Sequence, residues 1–173
     1  MVTALVIIMS VSCAFITIQD FRHRTVTWLF FPLLFLSNLG LGWLHEGFSS
    51  CFAAILINLL VTSAQFLLVS LYFFLRYKTF RIIGKMVGLG DVLFILAIIP
   101  AFQPGGFIVF LLLSMFISMI GFGFYILVKP DLDRNYRIPL AGTMSLFFLS
   151  VKWATLLLPI NFDWPFMAML FTF

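Results

Sequence analysis

The sequence predicts an all-α polytopic membrane protein with six transmembrane helices and both termini outside, and three observations carry that prediction. Hydrophobic residues fill 64% of the 173 positions and charged residues only 9%, whereas a soluble domain carries about 25% charged residues. The apolar residues fall in runs long enough to cross a hydrocarbon core of about 30 Å, which takes about 20 helical residues. The basic residues gather in alternate connectors. Alternating barrel segments of about 10 residues are not visible, so the runs read as helices.

The runs can be taken in order. Val2 to Gln19 is the first, and it lacks the basic flank and small-residue cleavage site of a secretory signal, so it is expected to stay as a spanning helix. Trp28 to Leu44 and Met86 to Phe102, the second and fourth, are short and must sit upright or borrow flanking residues. Cys51 to Leu75, Phe107 to Val128 and Ile138 to Leu158 complete the set. With no repeat, linker or low-complexity segment between them, residues 1–173 read as a single transmembrane domain.

Orientation follows from the connectors. Arg22, His23 and Arg24 follow the first run; Arg76, Lys78, Arg81 and Lys85 the third; Lys129, Arg134 and Arg137 the fifth. The connectors around Glu46 and around Gln103 hold no Lys or Arg, so nine of the ten basic residues lie on one side, the cytoplasm by the positive-inside rule. Lys152, in the sixth run, is expected to snorkel outward beside Trp153. The net charge of +4 is thereby topological, and no Lys/Arg stripe with interleaved aromatics exists to track a nucleic acid. Cys13 and Cys51 stand about one membrane thickness apart, too far for a disulfide, and no Cys/His cluster suggests a metal.

Six acids occur. Glu46 and Asp163 lie in outward connectors, and Asp131 and Asp133 balance the basic residues around them. Asp20 and Asp91 differ, because each sits at a membrane boundary, where an ionisable group is costly and commonly functional. The first helix runs inward and ends at Asp20, while the fourth runs outward and begins at Asp91, so the topology brings both acids to the cytoplasmic face at similar depth. Two carboxyl groups within hydrogen-bonding reach share a proton, and one can activate water while the other protonates, as aspartic proteolysis requires. A purely structural role for the pair would have them paired with Arg22, Arg24 or Lys85. Gly88 and Gly90 flank the second acid in Gly88-Leu89-Gly90-Asp91. They permit unusual dihedrals and the close approach of a substrate backbone, and Gly84 with Gly88 also has the GxxxG spacing of helix packing.

These residues resemble the prepilin peptidase family, polytopic GxGD aspartic proteases that remove leader peptides from type IV prepilins and related pseudopilins. Asp20-Phe21-Arg22-His23-Arg24-Thr25-Val26 is similar to the family's first catalytic segment, Gly88-Leu89-Gly90-Asp91-Val92 to its second, and Ile138-Pro139-Leu140 to the Ile-Pro-Phe that opens a late helix. The resemblance implies that Asp20 and Asp91 are the catalytic aspartates of a transmembrane peptidase domain in the cytoplasmic membrane, serving pilus assembly or protein secretion. It implies no cofactor and no metal, and a prepilin or pseudopilin substrate with a basic leader and a hydrophobic helix in the bilayer. Arg22, His23, Arg24 and Lys85 become candidates for substrate contact or for tuning the dyad. Val26-Thr27-Trp28 stands where the family often has Ile-Pro-Asn, and Leu93 where a Lys is common. The insertion with paired CxxC motifs found in bifunctional members is absent, so their methyltransferase activity does not carry over. The alternative from another class is a small proton- or cation-coupled transporter using the same acids as a relay; such acids are usually placed near the midplane of repeated halves.

Overall fold

The computed structural model describes residues 1–78, 88–128 and 140–157, and among them it contains helices and no strand. The elements are α1 (Val2–His23), α2 (Phe30–Glu46), α3 (Phe48–Tyr77), α4 (Leu89–Ile98) with a 3₁₀ turn at Ile99–Ala101, α5 (Pro104–Val128) and α6 (Leu140–Leu157). Within the described residues each expected apolar run thus contains a helix. The departure from the expected ends that matters is in α1, which runs past Asp20 to His23 and closes on Arg24 in a left-handed conformation, φ 54°. Between α2 and α3 there is only Gly47, at φ 82°, a conformation that favours glycine and lets one residue reverse the chain.

Among the described residues three helices are long and apolar enough to cross a membrane: Val2–His23, Phe48–Arg76 and Pro104–Gly121. The stretch Leu89–Ala101 is apolar but shorter; at helical rises it extends about 20 Å, less than a hydrocarbon core. The expected fourth span is therefore a short helix with a broken end. Pro100 is the cause, since it lacks the N–H that continues the α-helical ladder.

Each helix turns one stripe inward at a spacing of three or four residues. On α1 the stripe is Met9, Cys13, Ile16 and Asp20; on α2 Phe31, Leu34, Asn38 and Leu41; on α5 Phe107, Leu111, Ser114 and Ser118; on α6 Ala141, Ser145, Phe148 and Lys152. Opposite faces expose Ile7, Val11, Phe15 and Ile18 on α1 and Leu60, Leu67, Leu71 and Leu75 on α3, apolar surface suited to lipid. The centre is formed where α1 packs on α2 and α6, with α4 against α2 and α6; α3 and α5 flank it. Phe94, Phe102 and Phe110 all set ring edges against Phe148, at centroid distances of 6.4, 5.6 and 5.9 Å. Because lipid is as apolar as these side chains, close packing and interhelical hydrogen bonds, more than expulsion of water, hold such helices together.

The broken end of α4 shows how those bonds are spent. Carbonyls freed by the 3₁₀ turn are met by side chains from three other helices. Asn38 Nδ2 donates to the Ala97 carbonyl at 3.3 Å, Asn58 Nδ2 to those of Ile99 and Phe102 at 3.0 and 2.8 Å, and Lys152 Nζ to that of Ala101 at 3.0 Å. An unmet carbonyl in hydrocarbon costs several kcal/mol, so these polar residues are what make the break tolerable. Lys152 is consequently buried, 6% exposed, with its ammonium 4.6 Å from the Phe102 ring centre, and does not snorkel outward as its sequence context suggested. Glu46, at the same end, accepts a hydrogen bond from Gln103 and lies within electrostatic reach of Lys152.

Candidate active site

At the opposite end of the bundle α1 finishes and α4 and α6 begin. Asp20 continues the inward stripe of α1 one turn beyond Ile16 and is 8% exposed. Asp91 occupies the first turn of α4, one turn before Phe94 and Ile95 on the core side, and is half-buried. The two carboxyl groups are close enough for the charge of one to act on the other.

What joins them is the first turn of α6. The first amides of any helix lack intrahelical acceptors and carry the positive end of its dipole, so they attract carboxylates. Here the Gly142 N–H donates to Asp20 Oδ2, and the Ala141 N–H lies close enough to the Asp91 carboxyl to act on its charge. Consecutive amides of one helix thus face acids from two others. The arrangement brings two carboxyl groups to the start of one helix, with Oδ2 of Asp20 held by a backbone amide.

The glycines of the GxGD segment have a reason different from the expected one. Neither Gly88 nor Gly90 adopts a positive φ; Gly88 is extended at φ −66° and ψ 137°, within reach of any residue. Its constraint is space. A Cβ on Gly88 would stand 2.8 Å from Asp91 Oδ2, whereas a Cβ on Gly90 would meet only Phe31 Cζ, at 4.0 Å. Backbone bonds from the Asp91 and Val92 amides to the Gly88 carbonyl, at 3.2 and 3.4 Å, complete the turn that presents the acid.

Of the basic candidates, Arg22 and His23 are exposed in the last turn of α1. Arg24 caps that helix through its N–H to the Asp20 carbonyl at 3.1 Å, and its charge acts on the Asp20 carboxyl. Lys85, with Gly84, lies outside the described residues, as do Arg81, Lys129, Arg134, Arg137, Asp131, Asp133, Asp163, Ile138 and Pro139. Among the described residues no three His, Cys, Asp or Glu side chains come together as metal ligands. Cys13 and Cys51 are free, buried thiols.

Sequence reasoning did not name Ala141 and Gly142. The signal available was the third segment, Ile138-Pro139-Leu140, which leads directly into the turn that faces both acids. Comparison of the chain with protein families, with curated proteins and with solved structures gives no match.

Proposed function

We propose that this chain is a membrane-embedded aspartic endopeptidase of the prepilin peptidase type, with Asp20 and Asp91 as its dyad. The observation that carries the reading is the convergence of these two acids, from helices 71 positions apart in their numbering, on consecutive amides of α6. In this reading both termini face outward, the dyad lies at the cytoplasmic face of the cell membrane, and all six helices serve the crossing. The substrate is a prepilin-like or pseudopilin-like chain whose basic leader stays in the cytoplasm while its hydrophobic helix remains in the bilayer.

The chemistry follows from two carboxyl groups holding one proton. The ionised carboxyl takes a proton from water as its oxygen bonds to the peptide carbonyl carbon; the protonated one donates to the carbonyl oxygen, giving a neutral gem-diol. The C–N bond then breaks as the nitrogen receives the proton taken from water and the other carboxylate takes a proton from a gem-diol hydroxyl, whose oxygen becomes the carbonyl of the new carboxyl group, so the dyad returns to one shared proton. The hydrogen bond from the Gly142 N–H holds Asp20 Oδ2, which leaves Oδ1 for the exchange of the proton.

A second reading has an observation of its own. Acids at a helix N-terminus stabilise that helix, so Asp20 and Asp91 would serve as anchors of α6 without any chemistry. Asparagine separates the two, because its side-chain oxygen can still face the α6 amides but neither transfers nor shares a proton. Leader removal from a prepilin-like substrate in membranes should be abolished by Asp20→Asn and by Asp91→Asn at matched expression. Cleavage persisting in either variant would leave only the anchoring role.

A further inference from the structure

Asp20 is held from α6 by more than one bond. Along α1 and α6, which run antiparallel, three polar contacts form a ladder. Trp153 Nε1 donates to Ser10 Oγ at 3.2 Å, Thr17 Oγ1 and Ser145 Oγ share a hydrogen bond at 2.6 Å, and Gly142 N–H donates to Asp20. The middle and last rungs are one turn apart on both helices, Thr17 to Asp20 and Ser145 to Gly142. Ser145 also donates to the Gly142 carbonyl at 3.0 Å, with Thr17 then supplying the single proton of the clasp in place of its other acceptor, the Cys13 carbonyl at 2.9 Å. The Ser145 hydroxyl therefore ties the residue that grips Asp20 to the helix that carries Asp20. A further bond, between Ser118 and Thr143 at 2.6 Å, fixes the same turn of α6 to α5.

Gly142 has no room for a side chain. A Cβ there would stand 2.9 Å from Asp20 Oδ2, 3.1 Å from Asp20 Cβ and 3.2 Å from Phe21 Cδ2. The carboxyl alone cannot relieve that crowding by turning, since the Asp20 Cβ and the Phe21 ring are met as well. The two helices would have to part, lengthening the bond that orients the carboxyl.

We propose that Gly142 is a positioning residue for the dyad, and that the Thr17–Ser145 clasp sets the register in which its amide reaches Asp20. The inference rests on the proteolytic reading of Asp20 and Asp91. Neither Gly142 nor Thr17 touches the scissile bond; both act through the Asp20 carboxyl. A role in orientation lowers kcat and leaves KM, while a role in folding lowers the amount of folded protein and leaves both constants of what remains.

The experiment compares purified wild type with Gly142→Ala, Thr17→Val and Thr17→Ser, and uses Gly121→Ala as the control glycine, since a Cβ there meets nothing within 4 Å. Two readouts are taken on the folded fraction: leader cleavage as kcat and KM, and the pH titration of the carboxyl infrared band that Asp20→Asn removes. Expected for Gly142→Ala are a kcat lower by roughly 10²-fold at unchanged KM, and a titration displaced by about one pH unit through loss of one hydrogen bond. Thr17→Val should show the same pattern more weakly, and Thr17→Ser, which keeps the hydroxyl, should restore wild-type values. Should Gly142→Ala fail to fold, the Thr17 pair decides. Wild-type kcat and titration in folded Gly142→Ala, or in Thr17→Val, would overturn the proposal. A wild type that cleaves no leader would remove the proteolytic reading, and the infrared titration would still support or refute the positioning of Asp20.

Discussion

Alanine at Gly88 and at Gly90 should give opposite results, although both glycines belong to the same GxGD segment. At Gly88 the new Cβ would stand 2.8 Å from Asp91 Oδ2, about 0.6 Å short of ordinary contact. The atom it meets is the end of a rotatable side chain and Gly88 already has a conformation open to alanine, so the fold survives and the carboxyl moves. A misplacement of about 1 Å costs up to about 10²-fold, and a displacement near 0.6 Å should lower kcat by roughly tenfold or more. The loss of a glycine cap should change stability by no more than about 1 kcal/mol. At Gly90 the nearest atom is 4.0 Å away, and alanine should raise helix stability by about 0.5–1 kcal/mol without moving Asp91. The assay is single-turnover cleavage of a prepilin-like leader in proteoliposomes, with thermal unfolding in detergent run alongside. Equal kcat in Gly88→Ala and wild type would refute the argument that space beside the Asp91 carboxyl is what this position requires. A Gly90→Ala variant whose KM alone rises would show instead that the open space there admits substrate.

The remaining predictions concern the rest of the bundle. Asn58→Leu removes the donor to two carbonyls and should destabilise the protein by about 1–3 kcal/mol, whereas Asn38→Leu, losing one longer bond, should cost less; equal melting temperatures would reject the account of the α4 break. Gly42→Ala would set a Cβ 3.0 Å from Cys51 Sγ and 3.1 Å from the Pro100 carbonyl oxygen, and should lower stability by about 1–3 kcal/mol while leaving kcat of the folded protein unchanged. An unaltered melting temperature would show that α2 and the 3₁₀ turn do not need their close approach.

Much of the fold was legible because hydrocarbon imposes a one-dimensional rule. A helix is the means by which a single segment satisfies its own backbone in lipid, so apolar runs of the right length announce themselves. The helix count and most boundaries among the described residues follow from that. The rule says nothing of partners, and the reading failed where a partner decided. Lys152 looked like a residue with a free path to the interface, yet the Ala101 carbonyl, exposed by Pro100, draws it inward. Gly88 looked like a source of backbone freedom, yet it is a space left for the carboxyl three residues on.

The candidate site divides in the same way. Asp20 and Asp91 could be singled out because acids at the ends of apolar helices are rare, and the direction of each run brought them to one end. That Gly142 and Ala141 face them could not be read, because a hydrogen bond from Gly142 to Asp20 joins residues 122 positions apart, with no periodicity linking them. By itself, then, the sequence determined the helices, the end at which the acids lie and the chemistry that two acids permit. The tertiary structure alone decided which amides face them and in what register α1 meets α6, since the donors at a helix start acquire partners only when another helix is packed against them.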